Sequence, residues 1–378
     1  MQRQPRKHIL FLTSWYPDRV TKDNGDFIQR HAKAISLKHD VTVVYAVKDV
    51  ELKHQRFEII ERNENGLREI IVYVKDCWFS PFNLIFLCWG YLVGLKQINA
   101  FDFIHLQVCY PAGLIGVYLK NKYKKPLLLT EHWSNLNPQN FKKLPFYKQV
   151  AIRWILKKVD KVYPVSDYLG KAIQQLNPQL SYHVIPNVVD VSQFGYSSIH
   201  NHQRFKFLHL SNLVEGAKNI SGMLNVARRL AKDGYDFEFH IGGNGDLRPI
   251  QHYIHLHQLE KHVYVFGRIE HEKVNALMQQ FDCFILFSRY ENQPCVQIES
   301  FASGLPIIAS DVGGIKENFP SEFGILVENE NEEELYQAMV RMMTNEKNTS
   351  QAKMHQFAVN HFSNEVIAAK YDEVYQRF

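Results

Sequence analysis

Cysteine is scarce and scattered: Cys77, Cys88, Cys109, Cys283 and Cys295 are five in 378 residues, with no C-x-x-C pair among them. An odd, dispersed set fits neither a disulfide framework nor a zinc cluster, and a reducing cytoplasm is the expected setting. No Asp-x-Asp pair occurs and no His/Cys group has ligand spacing, so no metal site is expected. A secretory signal is not expected either. Met1–Lys7 is polar and basic, and the apolar run Ile9–Leu12 is too short for the core of such a signal. Low-complexity tracts and short repeats are absent, as is a basic motif interleaved with aromatics of the kind RNA-binding modules carry, so nucleic acid is not an expected partner. Only one segment lacks charge over a span-like length, Cys77 to Leu95. Gly90 and Gly94 have the spacing of packed transmembrane helices. Pro81 and Asn83 break its first part, and strand-like runs flank it, so a buried or surface-inserting helix is expected rather than a span.

What is present describes a folded chain. Apolar residues make up 46% and charged residues 22%, and the length suits two domains. The net charge of +5 conceals an asymmetry. Residues 1–185 hold 27 Lys and Arg against 15 Asp and Glu, a net of +12; the remainder holds 17 against 24, a net of −7. A basic half suits an anionic partner such as a phospholipid headgroup.

Short apolar runs alternate with amphipathic stretches along the whole chain, which predicts parallel sheets covered on both faces. His8–Thr13, Val41–Ala46, Glu69–Val74, Asp102–Val108, Leu127–Thr130, Lys161–Val165 and Tyr182–Ile185 read as strands of a first α/β unit. Ile28, Ala32 and Ile35 share one face of a helix from Asp26, and Ser166 reads as a helix cap. Ile185–Phe194, continuing through Gly195-Tyr-Ser-Ser, reads as a linker. A second series begins at Phe205–Leu210 and continues near Phe237–Ile241, Val263–Phe266, Cys283–Phe287, Pro306–Ala309 and Gly324–Val327. After Glu330 the chain reads as helical, with Ile367, Tyr371, Val374, Tyr375 and Phe378 on one face of a terminal helix that docks.

Open parallel sheets bind ligands beyond the carboxyl ends of their strands. The densest polar cluster in such a place runs from Ser288 through Glu291, Asn292, Cys295, Val296 and Glu299 to Gly304-Leu-Pro306 and Gly313-Gly314. Glu291 follows a buried strand and Glu299 lies in the first turns of the next helix. Two carboxylates so placed can accept hydrogen bonds from the hydroxyls of a sugar and a ribose. The helix start between them offers N–H groups and a positive dipole end to a diphosphate.

This stretch resembles the donor-site signature of retaining GT-B glycosyltransferases of family 4, a Glu, seven residues and a second Glu, and the similarity covers nearly the whole chain. The family commonly carries Glu-Gly/Ser-Phe-Gly where this chain has Glu291-Asn-Gln-Pro. Trp15-Tyr-Pro17 and Asn24-Gly25-Asp26 resemble the family's first loop, in which Gly25 would let the backbone approach donor phosphates. Glu131-His132 resembles its cleft-edge His, which contacts the donor sugar near the reacting carbon. Gly243 lies in a turn that resembles the family's glycine turn beside the nucleotide, and Arg268-Ile269 resembles the segment that cradles the base. Lys218 stands at the position of the phosphate-binding Lys. Asn212 stands where the family usually places an Arg, so either Lys218, the helix start and another cation, with Arg289 as the candidate, suffice, or activity is reduced.

The resemblance implies a fold of two Rossmann-like domains facing each other across a cleft: an acceptor-binding domain at 1–187, a donor-binding domain at 188–360, and a helix at 361–378 returning to the first. It implies a retaining, metal-independent hexosyltransferase with no cofactor, moving sugar from a nucleotide-sugar to a glycan or lipid-linked acceptor in cell-surface polysaccharide biosynthesis. His132, Glu291 and Lys218 would be catalytic. Gly25, Asn212, Lys218, Gly243, Arg268, Ile269, Glu291, Asn292, Cys295, Val296 and Glu299 would bind donor. No carboxylate of the first domain stands out as a nucleophile, so the leaving phosphate oxygen would take the acceptor proton, with Glu131 the residue to watch. A noncatalytic sugar-nucleotide or glycan-binding subunit of a membrane assembly and a sugar-nucleotide epimerase are the alternatives. Lys120, Lys122, Lys124, Lys125, Lys142, Lys143, Lys148, Arg153, Lys157 and Lys158, with Trp133, Phe141, Phe146 and Trp154, suggest a face that rests on the inner side of a membrane.

Overall fold

The structure, a computed structural model, describes residues 5–22, 24–76, 80–196, 203–344 and 350–378, with side chains from Phe82 onward in the segment that starts at Ser80. Met1–Gln4, Cys77 with the opening of the uncharged segment, and the last residues of the expected linker, Ser197 and Ser198, lie outside the described residues. The chain divides into a first unit, Met1–Val188 with Asn364–Phe378, and a second, Val189–Ser363.

In the first unit the order is β1 (His8–Thr13), α1 (Asp26–Ser36), β2 (Asp40–Asp49), β3 (Phe57–Glu64), β4 (Leu67–Lys75), α2 (Ser80–Leu95), β5 (Phe103–Gln107), α3 (Gly113–Tyr123), β6 (Leu127–Glu131), α4 (Pro138–Phe141), α5 (Phe146–Leu156), β7 (Lys161–Pro164) and α6 (Asp167–Leu176). The sheet runs β3-β4-β2-β1-β5-β6-β7, parallel throughout except for the antiparallel hairpin of β3 with β4. Successive strand side chains face opposite ways, so Leu10 and Leu12 join one core beneath α2, α3 and α5. Ile9 and Phe11 join the other, with Ile28, Ala32 and Ile35 of α1. Apolar residues on both faces are what a sheet covered by two helix layers requires.

Gly90 and Gly94 let α2 lie flat on the sheet. A Cβ at Gly90 would meet Val74 at 2.6 Å, and one at Gly94 would meet Val44 and Val72 at 3.0 Å. Their spacing therefore serves helix-on-sheet packing. Among the described residues no helix is long and apolar enough to cross a membrane. Ser166 caps α6 as its sequence predicts, its hydroxyl accepting from the Leu169 N–H.

Two strand expectations need correction. Tyr182–Ile185 forms only an isolated bridge, Tyr182 with Val162, because Pro164 on the neighbouring strand has no N–H to return a ladder bond. β3 was not expected; its mostly exposed polar residues fit an edge.

The second unit comprises β8 (Phe205–Ser211), α7 (Glu215–Lys218), α8 (Ile220–Lys232), β9 (Phe237–Gly243), α9 (Arg248–Leu256), β10 (Val263–Phe266), α10 (Val274–Met278), β11 (Cys283–Leu286), α11 (Cys295–Ala302), β12 (Ile307–Ser310), β13 (Gly324–Val327), α12 (Glu332–Met343) and α13 (Gln351–Phe362). Its sheet, β10-β9-β8-β11-β12-β13, is parallel throughout. By position in the unit this is the order 3-2-1-4-5-6 of a dinucleotide-type sheet, which reverses direction between β8 and β11.

The last helix, α14 (Asn364–Tyr375), belongs to the first unit. Ile367, Tyr371, Val374 and Tyr375 are buried as the pattern predicts, whereas Phe378 is exposed. The Tyr375 hydroxyl meets His105 Nδ1 at 2.6 Å and the Tyr371 hydroxyl meets Thr130 at 2.8 Å. Buried tyrosines keep such partners because an unpaired hydroxyl there is costly.

Candidate functional site

In the second unit the loops after β8 and β11 leave the sheet at its reversal point, where a crevice opens in sheets of this order. The first carries Asn212 and Lys218 and the second carries Arg289 and Glu291. Lys218 Nζ donates to Glu291 Oε1, which also accepts from the Ser288 hydroxyl at 2.8 Å. Both charged side chains keep slight solvent access, 16% and 12%, so a ligand can reach the pair while water screens it little.

The backbone around Glu291 is held by close approach. Gly313 has φ +57°, and a Cβ there would lie 1.7 Å from the Glu291 carbonyl oxygen. Gly243 is constrained in the same way: φ is +153° and a Cβ would stand 1.8 Å from the Ser211 carbonyl oxygen. The β9 turn thus presses on the β8 loop that starts with Asn212. Asn212 itself is exposed and its side chain accepts from the Val214 N–H at 3.3 Å.

Glu299 is buried on α11, within hydrogen-bond reach of His271 Nε2 at 3.1 Å. His271 follows the loop of Arg268 and Ile269, so this contact ties the β10 loop to α11. Sequence reasoning missed His271; the available signal was a His three residues beyond Arg268, after a strand end. Arg268 pairs with Glu270 through both terminal nitrogens, at 3.1 and 3.2 Å. Cys295 and Val296 open α11 after Pro294 and are half-buried, while Asn292 is buried.

Arg289 departs from its expected role as the compensating cation. Its Nε donates to Glu330 at 2.6 Å, Nη1 to the Glu215 carbonyl at 2.5 Å and Nη2 to Asn219 Oδ1 at 2.6 Å, and its own N–H donates to the Ala217 carbonyl at 2.8 Å. Two carboxylates, Glu215 and Glu330, neutralise it. It therefore braces the short helix α7, which ends in Lys218.

In the first unit Gly25 and His132 converge through aromatic contacts. Gly25 has φ +71°, and a Cβ there would meet the Trp15 backbone at 2.8 Å. The Phe27 ring lies 4.8 Å from that of His132, and Trp15 lies edge-on to Trp133 at 5.9 Å. His132 is buried, with Nδ1 3.0 Å from Asn187 Oδ1 and Nε2 3.1 Å from Gln107 Oε1; the neutral ring donates to one of these two oxygens. Burial drives its pKa well below the usual histidine range, with neighbouring His31 and His105 adding to the effect.

Glu131 is fully buried and its carboxylate accepts three backbone N–H bonds, from Cys109 at 2.8 Å and from His132 and Trp133 at 2.9 Å. Burial pushes its pKa up to about 7 against those three bonds. Its oxygens are spent on holding the His132 loop against the end of β5, so it is not a nucleophile in this arrangement. Among the described residues no group of three or more His, Cys, Asp or Glu could hold a metal.

Solved structures share this architecture. Sucrose-phosphate synthase of Thermosynechococcus elongatus aligns over 98% of this chain and 99% of its own, at a TM-score of 0.80 and 16% identity. HepE of Anabaena, in complex with UDP and glucose, aligns over 99% and 100% at 0.75 and 16%. Residues 28–193 match the sequence family Glycosyltransferase Family 4, and residues 196–360 match Glycosyl transferases group 1. The chain is a GT-B glycosyltransferase. TuaC of Bacillus subtilis, named for teichuronic acid biosynthesis as a glycosyltransferase, is 23% identical over 360 residues, 88% of each chain. The group 1 match of this glycosyltransferase spans every second-unit candidate from Asn212 to Glu299.

Proposed function

We propose that the protein transfers a hexose, with retention of anomeric configuration and without a metal, from a nucleoside diphosphate sugar to a glycan or lipid-linked acceptor of cell-surface polysaccharide or glycolipid synthesis. The observation that carries this reading is the Lys218–Glu291 pair at the reversal point of a 3-2-1-4-5-6 sheet, beside the start of α11. UDP and glucose in HepE and the teichuronic acid assignment of TuaC support the donor and acceptor classes.

Breaking a glycosyl–phosphate bond leaves negative charge on the diphosphate, and groups aimed at that charge lower the barrier. Lys218 supplies a cation, and the free N–H groups at the start of α11 add to it. Binding exchanges the Lys218–Glu291 contact for Lys218 to phosphate and Glu291 to sugar hydroxyls, so neither charge is left bare. Glu299, steadied by His271, accepts from the ribose hydroxyls. Arg268 and Ile269 border the base, and Gly243 lets the β9 turn close on the β8 loop that carries Asn212. His132 is the first unit's own candidate catalytic group, its ring kept neutral by burial, and Gly25 keeps the turn at Trp15 free of a side chain. With Glu131 occupied, the leaving phosphate oxygen is the group that takes the acceptor proton.

A second reading, a noncatalytic sugar-nucleotide-binding subunit, draws on Asn212 and on Arg289 being neutralised within its loop. The experiment incubates the protein with UDP-, GDP-, ADP- and dTDP-hexoses and a panel of glycans and polyprenyl-phosphate glycans, with the product anomer read by NMR. Transfer with retention is expected. Inverted product contradicts the retaining mechanism, and tight donor binding with neither transfer nor hydrolysis favours the second reading.

A further inference from the structure

We propose that the outer face of the α2–α3–α5 layer in the first unit docks on the surface of an anionic phospholipid bilayer. These three helices cover one face of the sheet, with α3 touching both α2 and α5. On α2 the glycines and Tyr91 face the sheet, while Phe82, Ile85, Trp89 and Leu92 are exposed on the opposite side. On α5 Ile152, Ile155 and Leu156 are buried, while Phe146, Tyr147, Val150 and Trp154 point outward along one face, Phe146 with 80% of its surface open. Tyr118 and Tyr123 of α3 add to the same surface. Among the described residues, every exposed Phe, Tyr or Trp of this unit except Phe378 lies on these helices. Single exposed apolar residues are ordinary; a contiguous layer of them marks an interaction surface.

Charge decides the partner. Between Phe103 and Val159 the sequence holds ten Lys and Arg and one carboxylate, Glu131, which is fully buried. Lys120 is satisfied by Asp160 at 2.6 Å. Lys122, Lys124, Lys142, Lys143, Lys157 and Lys158 are exposed. Aromatic side chains interleaved with cations, with Asp160 the one acid among them and already paired to Lys120, fit the boundary between anionic headgroups and acyl chains. A second copy of the same positive face is repelled. Of the aromatics expected from sequence, Phe146 and Trp154 belong to this surface, whereas Phe141 is buried and Trp133 packs on Trp15. Docking at this surface does not depend on the transfer reading.

The test is sedimentation of the full chain with vesicles of phosphatidylcholine alone or with roughly one third phosphatidylglycerol. Binding is expected to the anionic vesicles only and to fall as salt rises. Lys142→Gln/Lys143→Gln/Lys157→Gln is expected to weaken it on the order of 100-fold. Phe146→Ser/Trp154→Ser is expected to weaken it about tenfold or more. Nucleoside diphosphate sugar binding, unchanged in both variants, reports that they fold. Equal sedimentation with both vesicle types, no binding at all, or unchanged binding in the variants overturns the proposal. So does a native dimer that Phe146→Ser/Trp154→Ser converts to monomer without any vesicle binding, since the face then belongs to a second copy.

Discussion

Lys218 and Glu291, 73 residues apart in sequence, form one ion pair that spans the reversal point of the second sheet. Each neutralises the other, and under the proposed transfer each takes up a distinct substrate group. Lys218→Ala is expected to lower kcat about 10²–10³-fold, the scale of removing one preorganised charge-stabilising group. Glu291→Gln keeps shape but weakens acceptance from the sugar hydroxyls, and raises KM for donor as well. Steady-state kinetics on both variants check this; unchanged kcat in Lys218→Ala removes it from the reacting charge.

Arg289 acts one step back, through the loop that ends in Lys218. Arg289→Lys keeps charge but cannot span Glu330, the Glu215 carbonyl and Asn219 at once. A drop in kcat with KM little changed is expected in Arg289→Lys, together with a salt dependence of donor binding equal to native. Loss of that salt dependence instead makes Arg289 itself a phosphate ligand.

Gly313→Ala tests how tightly the Glu291 loop is framed. A methyl group 1.7 Å from the Glu291 carbonyl oxygen, at φ +57°, cannot be placed without moving that loop. Left-handed strain alone costs about 1–2 kcal/mol. A fall in thermal stability and a larger fall in activity than the stability loss explains are expected. Ala in place of Gly216, where a Cβ meets nothing within 4 Å, is the control with little effect.

Acid stability follows from the buried histidines of the first unit. Burial lowers His31 and His105 to about 3 and His132 well below its usual value. Unfolding frees them to take protons near 6.5, so their contribution is complete above pH 6.5 and is lost as pH falls from there toward 3. Glu131, raised to about 7, works the other way between about 4.5 and 7, but one carboxyl opposes three imidazoles. Stability therefore falls on acidification, by at most about 1.4 kcal/mol per pH unit for each unmatched proton. All five tryptophans lie within residues 15–154, so tryptophan fluorescence during urea unfolding at pH 7 and pH 5 reads this unit. His105→Gln is expected to flatten the slope; equal stability at both pH values contradicts the neutral buried cluster.

The architecture was legible because each layer leaves a period in the sequence. Leu10 and Leu12 against Ile9 and Phe11, and Ile28, Ala32 and Ile35 one helical face apart, are local patterns that survive folding unchanged. The β3–β4 hairpin was missed although Asn65-Gly66, both at positive φ, is a strong two-residue turn signal; the polar β3 hid it. The placement of the candidate residues was legible at Glu291 and Glu299, which follow a strand end, and at Lys218, which the resemblance singled out in the loop after β8. Partner choice was not. Whether Arg289 meets a ligand or Glu330, whether Glu131 attacks or braces three N–H groups, and that His271 reaches Glu299 all depend on contacts between segments distant in sequence, which no local pattern records.

The most direct measurement is isothermal titration of the native chain, Lys218→Ala and Glu299→Gln with the nucleoside diphosphate sugar that the transfer panel selects, and with its free nucleoside diphosphate. The account predicts that Lys218→Ala weakens both ligands about tenfold or more, the loss of one charge-assisted contact. It predicts that Glu299→Gln weakens both through the ribose. Native-strength binding of both ligands by both folded variants would contradict a donor site built on the β8, β11 and α11 ends of the second unit.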